Sequence, residues 1–336
     1  MSGGIAQLVA IGAQDAHLVG QPEVSFFRSN YKRHTNFAQT VERQVIQGNP
    51  VANGMSTVRF ERKGDMLGYV YISNRSADIT NWANKVAKVE LLIGGQVIDD
   101  QTDEFIRTLA PVTTSQTYSK YKFNNQYFYP LKFSFCENAQ SAIPLVALQY
   151  HDVELRITWG SSATDDAEVY AQFIHLDTDE RTVLSAEPQN MLITQTQKSI
   201  KSSAKTQEIN FNHPMKYLVA VNGMVASKAK LQINGTDVTD AKAVRPHFTS
   251  VPVYYHTQAA DTTATATFLQ PFCLDTSKLQ PTGSLNFSRL DSARLVSDNE
   301  SWGNDIYGVN YNILRIENGM GGLMYSNYFN LNSQLL

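Results

Sequence analysis

Residues 152–159 read DVELRITW. Val153, Leu155, Ile157 and Trp159 fall on one side of an extended chain, with Asp152, Glu154, Arg156 and Thr158 on the other. Side chains alternate along a strand with a period of two, so the segment is a strand with one buried face. The same period recurs outward from it. Val89, Leu91 and Ile93 alternate, as do Tyr217, Val219 and Val221, and Val251, Val253 and Tyr255. Each set predicts a strand.

Turn signals lie between these runs. Asn-Gly occurs at Asn53, Asn222, Asn234 and Asn318, and supplies the positive φ angles of tight hairpins. Gly94-Gly95 and Lys63-Gly64-Asp65 add two more turns. Hairpins join antiparallel strands, so many short strands with turns between them predict a sandwich or barrel. Helix signals are sparse. Thr102-Asp103-Glu104 predicts the cap of a short helix through Leu109, ended by Pro111. The polar stretch between Arg181 and Lys205 predicts a boundary between two β-domains, each long enough for its own core.

Gly308 to Asn327 reads GVNYNILRIENGMGGLMYSN. Tyr311, Ile313, Leu314 and Ile316 predict an apolar strand, with Asn310 and Asn312 facing the other way. A Gly-rich turn after a strand can cradle phosphate. Here G-x-G-x-x-G requires Gly where Met324 stands, and no helix-like pattern follows. The segment therefore reads as a strand and a turn.

Charged residues make up 18% of the chain, against about 25% in typical soluble proteins. The surface is then built from neutral polar groups, or much of it is buried between subunits. Net charge is −3, and basic residues cluster only at Tyr31-Lys32-Arg33-His34 and from Lys198 to Lys205. That is no footprint for nucleic acid. Cys136 and Cys273 are far apart and read as two reduced core thiols in a cytosolic product. No secretory signal is expected at the N-terminus, and no apolar run reaches membrane-spanning length.

Candidate chemistry is thin. Asp177-Thr178-Asp179-Glu180 lacks the Gly and distal Glu of a calcium loop and reads as a turn at a strand end, with Arg181 as counter-charge. None of the seven histidines forms a metal-binding spacing, and alternation sends His151 and Asp152 to opposite faces. There is no G-x-S-x-G elbow. The sequence thus nominates no catalytic, cofactor-binding or metal residues, and the protein is expected not to be an enzyme. The aromatic run Tyr118 to Phe135 reads as sheet or subunit interface, not as a base-stacking platform. The sequons at Asn74, Asn234, Asn286 and Asn299 read as unmodified.

Seven segments in order resemble one family, the double jelly-roll major capsid proteins of nucleocytoplasmic large DNA viruses such as algal viruses. They are Gly3 to Phe37, Ile93 to Asp99 (IGGQVID), Pro144 to Tyr150 (PLVALQY) with His151-Asp152, Leu176 to Arg181 (LDTDER), Phe211 to Val221 (FNHPMKYLVAV), Gln280 to Asp291 (QPTGSLNFSRLD) and Asn310 to Asn327. The resemblance implies an all-β chain of two tandem eight-stranded antiparallel jelly rolls with few short helices in loops. It assigns 1–21 to an N-terminal arm, 22–185 to the first roll, 186–206 to a linker and 207–336 to the second roll. The second roll then has only about 130 residues, which implies clipped outer loops.

As function, the resemblance implies a structural major capsid protein whose homotrimers form pseudo-hexagonal capsomers tiling an icosahedral shell. Implied partners are neighbouring capsomers, minor capsid and penton proteins and the internal viral membrane, without specific nucleic acid and without cofactors. Residues 1–21 are the candidate tether to the inner face or to a neighbour. The implied location is the virion capsid, assembled in the host cytoplasm. The alternatives are a minor or penton-associated capsid component or capsid paralogue and, more remotely, a carbohydrate-binding β-sandwich.

Overall fold

The computed structural model describes residues 12–75, 82–114, 128–164, 166–221, 228–258, 267–298 and 302–325. The chain divides after Asn36 into two compact units, Met1–Asn36 and Phe37–Leu336. In the first, the only regular element among the described residues is one helical turn, α1 (Ala16–Val19). Residues 22–36, expected in the first roll, belong to this unit.

The second unit holds both rolls. The first comprises β1 (Phe37–Gln44), β2 (Met55–Arg59), β3 (Met66–Asn74), β4 (Val86–Ile93), β5 (Gln96–Thr102), β6 (Phe128–Pro130), β7 (Val153–Trp159) and β8 (Ala167–Leu176). The second comprises β9 (Gln189–Ser199), β10 (Thr206–Glu208), β11 (Pro214–Val221), β12 (Lys228–Ile233), β13 (Thr236–Asp237), β14 (Thr267–Pro271), β15 (Ala293–Ser297) and β16 (Ile306–Glu317). A last strand, β17 (Met320–Leu323), folds back on β16.

Four further two-residue strands, Ile46–Gln47, Ile143–Pro144, Lys242–Ala243 and Leu285–Asn286, pair with β2, β3, β12 and β11. Apart from these and β17, the first roll orders its sheets β1-β8-β3-β6 and β2-β7-β4-β5, and the second orders them β9-β16-β11-β14 and β10-β15-β12-β13. Adding eight to every strand number of the first roll gives the second. The chain therefore contains the same eight-stranded sandwich twice, with antiparallel pairing throughout.

The local causes are those of strands and tight turns. In β7 burial alternates strictly, and the Trp159 Nε1–H finds the Ser56 hydroxyl at 2.9 Å on β2. Three two-residue turns join adjacent strands: Gly94-Gly95, Asn234-Gly235 and Asn318-Gly319. All six residues have positive φ, between 50° and 80°, as this hairpin type demands. Asn222 lies outside the described residues.

Four expectations are corrected. Residues 186–206 are not a bare linker: they carry β9, which pairs along its whole length with β16. Polar residues make up most of the strand, with Gln195 opposite Asn310 and Asn190 opposite Arg315, so composition hid it. Val251 to Tyr255 lies in a helix, α5 (Ser250–His256), where Pro252 sits in the first turn and needs no N–H partner. The segment after β5 is a π-helical turn (Phe105–Leu109) running into α2 (Ala110–Thr113). Pro111 lies in the first turn of α2 and does not stop it. Asp177 caps α3 (Thr178–Ala186) through the Thr178 N–H at 2.7 Å, so the acidic cluster is a helix start, with Asp179 and Glu180 in its first turn. Asn310 and Asn312 alternate as expected, and both are buried, at 0% and 3% exposure. Their amides are held by Gln197 Nε2 on Asn310 Oδ1 and by Gln195 Oε1 under Asn312 Nδ2, at 2.9 and 2.8 Å.

One apolar core fills the second roll, from Phe211 and Met215 to Leu295 and Trp302. The other fills the first roll and continues across to Ile193, Tyr217, Val219, Leu269, Tyr307 and Val309. These six side chains lie on the outer face of the sheet β9-β16-β11-β14. That sheet is covered on both faces, which is why β11 is buried at every interior position.

Candidate functional site at the seam between the rolls

The outer face of β11 and β16 meets the π turn and α2 of the first roll. The Tyr307 ring lies 5.7 Å from the Phe105 ring. Its hydroxyl donates to Glu104 Oε2 at 2.9 Å and lies 2.8 Å from the Thr102 hydroxyl. The Tyr217 hydroxyl donates to Thr113 Oγ1 at 3.0 Å. Burial pushes both phenols well above their usual range, so each stays a neutral donor. Apolar faces supply the contact area and the hydroxyls fix the register.

A second set of contacts joins β5 to β9. The buried Asp99 carboxylate accepts the Thr196 backbone N–H at 2.8 Å and the Gln101 side-chain N–H at 2.9 Å. The Gln195 side-chain N–H donates to the Ile98 carbonyl. Burial pushes the Asp99 carboxyl up to about 8, against the pull of these donors. Nearby, burial lowers Lys132 to about 8, opposed by Glu137. Burial also lowers Lys216, whose ammonium donates to the Lys278 carbonyl at 2.7 Å and sits over the Tyr311 ring.

The Gly-rich hairpin closes the seam at one end. Gly319 O accepts the Tyr150 N–H at 2.9 Å, and His151 Nδ1 lies 2.9 Å from Gly321 O. A Cβ on Gly321 would stand 2.7 Å from Leu148, and one on Gly319 2.6 Å from the Tyr150 ring. These glycines let the last hairpin of the second roll lie directly on the first roll. Their role is contact between domains, which the phosphate-loop comparison had no means of finding.

The remaining candidates disperse. Arg181 pairs with Asp65 at 2.8 Å, away from the acidic cluster. Asp152 pairs with Arg59, so it faces away from His151 as alternation predicts. Cys136 and Cys273 are buried and form no disulfide. Among the described residues no group of three His, Cys, Asp or Glu side chains is placed to hold a metal ion. No described helix is long and apolar enough to cross a membrane. Asn74 ends β3. The Asn234 and Asn286 side-chain oxygens accept backbone N–H groups of Asp291 and Ser288. Asn299 and residues 118–127 lie outside the described residues, while Tyr129, Phe133 and Phe135 of the aromatic run are buried. Sequence reasoning nominated none of Asp99, Tyr217 or Tyr307 for a site. The one signal was Tyr217 at the head of an alternating run.

Two family models match the chain. One, described as the major capsid protein N-terminus, covers residues 25–183; the other, the large eukaryotic DNA virus major capsid protein, covers residues 222–322. The major capsid proteins of Pyramimonas orientalis virus and Paramecium bursaria Chlorella virus 1 are 32% and 30% identical to it. Each match spans 97% of this chain and 100% of the relative. Among solved structures, VP54 of PBCV-1 superposes with a TM-score of 0.77 at 26% identity, over 90% of this chain and 100% of that one. The Faustovirus major capsid protein shares the fold, with a TM-score of 0.64 at 9% identity over 91% and 94% of the two chains.

Proposed function

Since the chain belongs to the major capsid proteins of large eukaryotic DNA viruses, we propose that it is the repeating structural unit of an icosahedral virion shell, acting through assembly. The observation that carries this reading is the duplicated roll locked by a buried seam. One chain thereby presents two similar, rigidly joined blocks, and three chains present six. The capsomer is a homotrimer of pseudo-hexagonal outline that packs against neighbouring capsomers in a lattice. Within the trimer the contacts are large and apolar, as in obligate assemblies of more than about 2,000 Å². Between trimers they are smaller and more polar, so that misplaced units can leave.

Residues 1–21 act as a tether to a neighbouring subunit, to minor capsid and penton proteins or to the inner membrane face. Phe26 and Phe27, 95% and 99% exposed in the adjoining stretch, support a docking role for this unit. Assembly takes place in the host cytoplasm.

Native mass measurement of the 37.5 kDa chain at micromolar concentration is expected to show a trimer. A stable monomer would overturn the capsomer reading. Deleting residues 1–21 is expected to leave trimers folded and to abolish shell formation; complete shells from the truncated chain would refute the tether. Counting copies in purified particles separates a major subunit from a minor or penton-associated one.

A further inference from the structure

The two rolls share topology and also residues at the face that makes the seam. In the second roll Val219 of β11 pairs with Tyr307 of β16, and Met215 with Asn310. In the first roll Tyr71 of β3 pairs with Tyr170 of β8, and Leu67 with Phe173. This register sets Tyr69 in the place of Tyr217 and Tyr170 in the place of Tyr307. The ion pairs beside them correspond as well: Arg43–Glu168 at 3.1 Å stands where Lys198–Asp305 stands. The eighth strands read EVYA from Glu168 and DIYG from Asp305.

Their surroundings differ. Tyr217 and Tyr307 are 3% and 1% exposed under the π turn and α2 of the first roll. Tyr69 is 41% exposed, and the Tyr170 hydroxyl donates back to Glu168 on its own strand at 2.9 Å. The counterpart of the π turn and α2 is open too. Between the fifth and sixth strands of the second roll lie α4 (Val244–His247) and α5, which carries Tyr254 and Tyr255 at 79% and 72% exposure. Among the described residues, each chain thus holds one completed seam, plus an unfilled copy of each half.

We infer that the sheet face around Tyr69 and Tyr170 is the docking surface for α5 of a second copy of this chain, repeating between chains the seam made within each. Such a contact is head-to-tail, so it propagates until it closes. With two rolls per chain, closure at three chains makes a ring of six similar blocks joined by alternating internal and external seams. The inference rests on the trimeric reading above and assigns its surfaces.

The test uses the full chain and two double variants, Tyr69→Glu with Tyr170→Glu, at one exposed and one half-buried position, and Tyr254→Glu with Tyr255→Glu, both at exposed positions. Each alone loses one half of every contact and is expected to be a folded monomer with the far-ultraviolet circular dichroism of the wild type. Mixed in equal amounts, they retain one intact pair of surfaces and are expected to form one-to-one dimers that never close. Hydroxyl-radical labelling of the wild type provides a readout independent of the variants, with Tyr69 and Tyr254 expected several-fold slower than open tyrosines. Trimers from either double variant, or full labelling of Tyr69 and Tyr254 in wild-type trimers, would overturn the assignment while leaving the trimer intact. A monomeric wild type would overturn the trimer itself.

Discussion

The Asp99 carboxylate of the first roll accepts the Thr196 backbone N–H of the second at 2.8 Å. Burial holds this group up to about 8, with the neighbouring Asp100 adding to the rise. Between about pH 4 and 8 the folded chain keeps a proton that the unfolded chain releases. The contribution of Asp99 is therefore fully present below the ordinary carboxylate range and is lost as pH rises to about 8, at about 1.4 kcal/mol per unit at most. Asp99→Asn gives up one acceptor at every pH but removes this slope. Between pH 6 and pH 8 the melting temperature of the wild type should fall relative to that of the variant, which carries no such slope. A constant difference would show that Asp99 is charged throughout.

Asp65 titrates in the opposite sense. Burial alone would raise its carboxyl, but Arg181 on α3 and the Leu176 N–H together hold it below the usual range. Its contribution is present above the ordinary carboxylate pKa and is lost as pH falls through the lowered value. Arg181 is half exposed, so solvent screening limits the pair to about 1 kcal/mol. Asp65→Asn is expected to lower stability by that order at pH 7 and to match wild type near pH 3, read from urea midpoints. Equal midpoints at pH 7 would show that the pair contributes nothing.

The glycine hairpin predicts a steric effect. Gly321→Val places new atoms inside the contact with Leu148 and Ile93, where Cβ distances are already 2.7 and 3.2 Å. Overpacking of this kind costs about 1–3 kcal/mol. Amide exchange at Tyr150, whose N–H is bonded to Gly319 O, should accelerate more than exchange at Ile157 in the first core. Uniform acceleration would mean that the hairpin is not a local clasp.

What could be read from the chain follows from where each pattern is written. The β7 alternation depends only on its own residues and one buried face, and it is realised in full. The sheet β9-β16-β11-β14 is buried on both faces, so β11 and β16 carry polar residues inside, among them Asn310 and Asn312. Their partners, Gln195 and Gln197, lie over a hundred positions away on β9, the strand taken for a linker. Period-two spacing at Val251 to Tyr255 is compatible with a short helix when only one side chain of the set, Val253, is buried. The seam itself left almost no local trace because it is made by long-range register. Its repeat, EVYA against DIYG, becomes visible only when topology aligns the two strands.

The two seam tyrosines separate hydrogen bonding from packing. Tyr217→Phe keeps the ring and removes a neutral bond to the Thr113 hydroxyl, which still lies 3.3 Å from the Leu109 carbonyl. The expected loss is about 1 kcal/mol. Tyr307→Phe removes a donor to the Glu104 carboxylate and a contact with Thr102. Bonds to charged groups contribute more, about 1.5–3 kcal/mol, so this variant should be the weaker of the two. Denaturant midpoints should fall in that order with unchanged slope, since neither change alters the surface exposed on unfolding. A larger loss at Tyr217 would place the register-fixing contact at Thr113 and not at Glu104.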